Sequence, residues 1–185
     1  VLKKLAGIEV KVICPLHGPV LTENLDYYIN LYDTWSSYSV ESEGVFIAYT
    51  SVYGNTKKAV EKFAEILKAK GCPKVAVADL AREDMAECVE DAFKYGKIVL
   101  ATTTYTNDIF PFMKDFIHHL TGRNYQNRTI GLIENGTWNP LAAKVMTKMF
   151  ENSKNITFCP TVVTIKTAMN DETVNGLEKL AEEIL

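Results

Sequence analysis

At 185 residues, 47% apolar and 23% charged, the chain has the make-up of a globular protein with one good core and a short appendage, which excludes disorder. A net charge of −3 with no long run of one sign excludes the basic footprint of a nucleic-acid binder or a membrane-surface helix. Apolar runs such as Ile98 to Ala101 and Val162 to Ile165 are too short to span a bilayer, and the start lacks a signal-peptide cleavage pattern, so a cytoplasmic protein without membrane or nucleic-acid partners is expected.

Residues 1–43 give a strand-like VKVIC, a turn CPLHGP and a helix from about Asn24 to Tyr38, with Leu25, Tyr28, Leu31, Tyr32 and Trp35 as an aromatic stripe. A strand plus one helix cannot bury its own apolar face, so this piece reads as what remains of another domain, with the stripe free for contacts in a homodimer.

From Gly44 onward, short β-branched runs alternate with amphipathic stretches, the pattern of a parallel sheet covered on both faces. The strands read as Val45 to Thr50, Lys74 to Asp79, Lys97 to Thr102, Arg128 to Glu134, and a fifth within Ile156 to Ile165, interrupted by Pro160. The first helix buries Ala59, Val60, Phe63, Ala64, Ile66 and Leu67, turns a lysine- and glutamate-rich side to water, and ends at Gly71. Met85 to Phe93, Phe112 to Leu120, Leu141 to Met149 and Val174 to Ile184 carry the later stripes, with Pro111 and Pro140 near helix starts, where a missing N–H costs little. Cys14, Cys72, Cys88 and Cys159 form no CxxC pair and have no histidine at metal-ligand spacing, so they read as small buried hydrophobes kept reduced.

In an open parallel sheet, ligands bind beyond the carboxyl ends of the strands where strand order reverses. The loops after strands one, three and four, TSVYGNT, TTTYTND and ENGTWNP, belong there and are rich in hydroxyls, amides and aromatics but poor in charge. Such a surface suits a large planar ligand bearing a phosphate. In the first loop, Thr50, Ser51 and Thr56 offer hydroxyls, Gly54 the backbone angles of a tight cradle and Asn55 an amide, all at a helix amino end that favours anions. Neither GxxxxGK[ST] nor GxGxxG occurs at this junction, which argues against a triphosphate or a dinucleotide. Tyr105 and Trp138 could flank a ring by stacking, or serve as packed loop anchors.

TSVYGNTKKAVE resembles the phosphate loop and first helix of the flavodoxin family, and the match runs from about Gly44 to Leu185. The resemblance implies an α/β, flavodoxin-like three-layer sandwich with a five-stranded parallel sheet in the order 2-1-3-4-5, binding flavin mononucleotide (FMN). By position it implies phosphate contacts from Thr50, Ser51, Val52, Tyr53, Gly54, Asn55 and Thr56, and ring contacts from Thr103, Thr104, Tyr105 and Asn107, then Asn135, Gly136, Thr137 and Trp138. CPLHGPVLTENLDYYINLYDTWSSY resembles the end of the metallo-β-lactamase-like domain of flavodiiron proteins, so residues 1–43 become the tail of that domain plus linker and 44–185 the FMN domain. There His17 would be the counterpart of the last ligand of a two-iron site; the other ligands would lie upstream, and one imidazole cannot hold two irons, so no metal is expected here. The resemblance further implies that the intact parent passes electrons from the flavin to a di-iron site reducing O2 or NO, with rubredoxin or a reductase as donor.

Two other readings compete: a self-sufficient NAD(P)H-dependent quinone or nitro reductase of the same fold, which leaves the His17 segment unexplained, and a cofactor-free interaction module, which would want a phosphoacceptor where strands one and three end in hydroxyls. His118 and His119, beside a helix stripe without a nucleophile, read as surface residues, and the adjacent Glu182 and Glu183 as a solvated face.

Overall fold

The computed structural model describes residues 7–185. A single antiparallel bridge, Ile13 with Leu21, is all the pairing that the strand-like VKVIC makes among the described residues. Helix α1 (Leu25–Ser36) follows and buries none of its residues; Tyr27, Tyr32 and Trp35 stand about half or more exposed.

Then comes a regular alternation: β1 (Ser42–Tyr49), α2 (Asn55–Ala69), β2 (Val75–Asp79), α3 (Met85–Lys94), β3 (Tyr95–Tyr105), β4 (Asp108–Ile109), α4 (Pro111–Thr121), β5 (Arg128–Asn135), α5 (Ala142–Met149), β6 (Ile156–Ile165) and α6 (Asp171–Ile184). The five long strands run parallel in the order β2-β1-β3-β5-β6, which in chain sequence is the expected 2-1-3-4-5. The expected count of five strands is corrected to six, because β3 runs past Thr102 and folds back on two-residue β4. Between them Thr106 and Asn107 both have positive φ, 48° and 58°, as a two-residue type I′ turn requires. That turn usually carries Asn-Gly, so Thr-Asn does not announce it.

Strand residues alternate between two cores. Phe46, Ala48, Ile98 and Leu100 point to the side covered by α3, α4 and α5, whereas Val45, Ile47, Val99 and Ala101 meet α2 and α6. Both faces are buried, which is why these strands read as unbroken apolar runs. Helix ends follow local chemistry. Gly71, at φ 84°, closes α2 in a Schellman turn, with Cys72 N donating to the Leu67 carbonyl at 2.9 Å and Gly71 N to that of Lys68. The Asp84 carboxylate accepts from the amides of Ala86 and Glu87 at the start of α3, and Asn170 forms a capping box with Thr173 on α6.

Two surface readings need correction. Only Cys88 and Cys159 are buried, where desolvation pushes each thiol up to about 11; Cys72 is half-buried and Cys14 exposed. Glu183 is no idle solvated residue: its carboxylate accepts from Thr161 N (2.8 Å) and Thr161 Oγ1 (2.6 Å), bracing β6 just past Pro160, while Glu182 pairs with Lys70. The amide of Thr161 needs this partner because β6 is an edge strand whose ladder is irregular there. No helix among the described residues is long and apolar enough to cross a membrane.

Candidate functional site

β1 and β3 are neighbours whose following helices leave on opposite faces, so a crevice opens between their carboxyl ends. Into it run the three loops and the segment after β6, enclosing a cleft of about 410 Å³, within the range of small-molecule sites. The β1 loop contributes Val52, Tyr53, Asn55 and Thr56; the β3 end Thr103, Thr104 and Asn107; the β5 loop Asn135, Gly136, Thr137 and Trp138. Asn139 and Thr167 complete the lining, and no charged side chain belongs to it.

The floor of the first loop is built on threonine. Thr50 is fully buried and its hydroxyl shares a 2.7 Å hydrogen bond with that of Thr102, pinning the ends of β1 and β3 together below the cleft. Thr50 is thus beneath the cleft rather than in its lining. Ser51 Oγ accepts from the amide of Lys57 at 3.2 Å, and Lys58 N donates to the Gly54 carbonyl at 3.0 Å. Gly54 is the residue before the helix, at φ 86° in the left-handed region where glycine alone is unstrained. Among the described residues, the amides of Val52, Tyr53, Gly54, Asn55 and Thr56 have no acceptor. Five successive amides without an acceptor thus flank one left-handed glycine at the positive end of a 15-residue helix, where an anion is favoured.

The far wall is held by Asn135, buried at the end of β5. Its carboxamide donates to the Thr167 carbonyl (3.1 Å), accepts from Thr167 N (3.2 Å), and approaches Thr56 Oγ1 at 3.5 Å. Thr137 and Thr167 share a hydroxyl hydrogen bond of 2.9 Å. These bonds keep Thr167 at φ 75°, an uncommon conformation for a β-branched residue and one that persists only where neighbours over-determine it. Behind the wall, the buried Glu134 carboxylate accepts from Ala143 N (2.9 Å) and Thr164 Oγ1 (2.9 Å), seating α5 against β5 and β6. Thr104 Oγ1 accepts from Leu141 N at 3.1 Å and lies 3.1 Å from where a Cβ on Gly136 would sit; a Cβ there would also come 3.0 Å from Pro140 Cα, so any larger residue would push Thr104 and Pro140 aside by a few tenths of an ångström.

The aromatics divide. Tyr53 (93% exposed) and Trp138 (98% exposed) stand on the cleft rim with their faces free. Tyr105 turns away to meet Phe110 edge-on at 5.3 Å and lines a separate hollow with Lys114 and His118. Sequence reasoning missed Asn139, one residue past the fourth-strand motif's tryptophan, and Thr167, whose loop carries no glycine or phosphate signature. His17 is exposed in its turn, and no cluster of three or more His, Cys, Asp or Glu suited to a metal occurs among the described residues.

The chain as a whole resembles known proteins. Over 134 residues, 71% of this chain, it is 24% identical to the anaerobic nitric oxide reductase flavorubredoxin of Escherichia coli O1:K1, of which it spans 28%. Its backbone matches rubredoxin oxygen:oxidoreductase from Desulfovibrio gigas with a TM-score of 0.89 over 99% of this chain and 46% of that one, at 20% identity. Flavodoxin 1 from Bacillus cereus matches 76% of this chain and 95% of its own, with a TM-score of 0.66 and 14% identity. The model of the flavodoxin domain family covers residues 46–166, and with it all but the first residues of the sheet and all three loops. The chain belongs to the flavodoxin domain family.

Proposed function

We propose that the cleft holds FMN and that the chain is an electron-transfer flavin domain. The observation that carries this reading is the run of five unpartnered amides around Gly54, opening onto a cleft without charged side chains. A phosphate monoester fits that cradle, and a neutral, hydroxyl- and amide-rich wall fits a polar ring system whose edges both donate and accept. When bound, the isoalloxazine supplies reversible electron transfer, and the protein supplies position and electrostatics. Val52 to Thr56 would hold the phosphate; Thr103, Thr104 and Asn107 on one side and Gly136, Thr137 and Trp138 on the other would hold the ring. Asn135 lines the same wall and ties it to Thr167, while Thr50 and Ser51 act beneath, keeping the loops in register.

The relatives widen the proposal. They are longer proteins, named as a nitric oxide reductase and a rubredoxin oxygen:oxidoreductase, and the chain spans about a quarter to a half of their lengths. We read residues 1–43 as the tail and linker of a metallo-β-lactamase-like domain and 44–185 as the FMN domain. In such a parent the flavin would take electrons from a cytoplasmic donor such as rubredoxin or a reductase and pass them to a di-iron site that reduces O2 or NO.

The test is reconstitution. Chain mixed with FMN and desalted should retain one flavin per chain, bleach on anaerobic reduction and regain colour with an electron acceptor, while turning over NO negligibly by itself. Trp138→Ala should change the bound flavin's visible spectrum and weaken binding by about two- to tenfold, the order of a stacking contact of about 0.5–1.5 kcal/mol. A colourless chain after desalting would reject the reading.

A further inference from the structure

At the opposite end of the sheet from the cleft, residues 38–41, which join α1 to β1, lie along the surface formed by the end of α3 and the starts of β3 and β5, half-buried at Tyr38 and exposed at the other three. Arg128, only 3% exposed, reaches up from the first position of β5. It donates through Nη1 to the Tyr38 carbonyl (2.7 Å) and through Nη2 to the carbonyls of Ser39 (3.3 Å) and Phe93 (2.6 Å). Tyr38 sits at φ 56°, a left-handed conformation, and its ring lies against Phe93. Glu41 N donates to the Lys94 carbonyl (3.0 Å), and the Glu41 carboxylate accepts from Trp35 Nε1 (2.8 Å) and pairs with Lys94. Val40 covers Gly96 so closely that a Cβ on residue 96 would come 2.8 Å from Val40 Cγ2.

We propose that this surface is a docking site for the chain's own connecting segment, making residues 38–41 a rigid strap that fixes the orientation of α1 relative to the sheet and the cleft. A flexible tether would satisfy its carbonyls with water and would leave Tyr38 in an ordinary conformation. Here a buried guanidinium, a strained residue, a glycine under a β-branched side chain and a carboxylate bridging the helix to the domain all specify one geometry. Gly96 is the positioning residue on which the strap closes.

Amide residual dipolar couplings test this in the 185-residue chain. In the native chain, couplings from α1 and from β1, β3 and β5 should fit one alignment tensor. In Gly96→Ala the new Cβ would meet Val40 Cγ2 at 2.8 Å, closer than such atoms pack, so the strap should lift and the α1 tensor fall by about half or more while the strands keep theirs. Adding Val40→Ala removes Cγ1 and Cγ2 and leaves Cβ of residue 40 at 3.8 Å, an ordinary contact, so the double variant should recover the single tensor. FMN affinity should hold within about twofold throughout, because Gly96 lies seven residues from Thr103 along β3, roughly 23 Å away. A separate, smaller α1 tensor in the native chain, or an unchanged tensor in Gly96→Ala, would overturn the proposal whether or not flavin binds.

Discussion

Riboflavin should bind this chain on the order of 100-fold or more weakly than FMN. The two ligands share the ring and ribityl chain and differ only in the phosphate, so the comparison isolates the loop at Val52 to Thr56. Hydrogen bonds to a charged group contribute about 1.5–3 kcal/mol each, and five amides without an acceptor flank Gly54. Desolvation of the phosphate consumes part of that gain, but even two net bonds amount to about 3 kcal/mol or more, which is the stated factor. The cradle uses backbone and a helix dipole instead of lysine, and no carboxylate, amine or imidazole lines the cleft. The pH dependence of FMN affinity should therefore belong to the ligand: flat above pH 7 and falling as the phosphate takes its second proton near pH 6. Isothermal titration of both flavins across pH checks both statements; equal affinities would place the anion elsewhere.

Arg128→Met should cost about 3 kcal/mol or more of folding stability, from buried carbonyls left unsatisfied at about 1–3 kcal/mol each. The guanidinium makes five hydrogen bonds, to the carbonyls of Tyr38, Gln126, Asn127, Ser39 and Phe93, and no carboxylate pairs with it. Its Nε is buried without a partner, and Cζ lies 5.8 Å from the centre of the Tyr125 ring. Burial pulls this guanidinium below its ordinary value, and it is charged at neutral pH nonetheless. Methionine would fill much of the volume and spare the cost of a buried cation, which in some proteins leaves stability unchanged or improved. The carbonyls decide the sign here. Those of Phe93, Tyr38 and Ser39 have converged on the guanidinium, and without it they lose their donors while the strap loses its anchor. Urea unfolding measures the effect: the midpoint should drop with the slope unchanged, whereas an unfolding free energy within about 0.5 kcal/mol of the native chain's would show that the carbonyls find water.

The sheet was legible because its strands are buried on both faces, so β-branched runs such as Val45 to Ala48 and Ile98 to Ala101 stand out against the polar stretches between them. The first loop was legible because a phosphate cradle needs small and hydroxylic residues in one short run. What the sequence hid depends on atoms brought together from afar. Thr50 reads as a ligand donor until its hydroxyl is seen against Thr102, 52 residues away, and nothing local says that the carboxamide of Asn135, which lines the cleft, also brackets Thr167. Tyr105 lies one residue past Thr104, yet the hairpin at Thr106 and Asn107 turns it toward Phe110, and no Asn-Gly dipeptide signals that turn. Arg128 looks like any surface arginine at a strand start, since nothing local says that three distant carbonyls will meet there.

The central claim is that backbone amides at the start of α2 hold the phosphate of FMN, and a ¹⁵N-resolved NMR titration of the chain tests it directly. With FMN, the amide signals of Val52, Tyr53, Gly54, Asn55 and Thr56 should move downfield together and saturate at one equivalent, while riboflavin shifts the cleft walls and leaves those five nearly in place. Flavin binding that leaves the five amides unmoved, or no binding at all, would contradict the account.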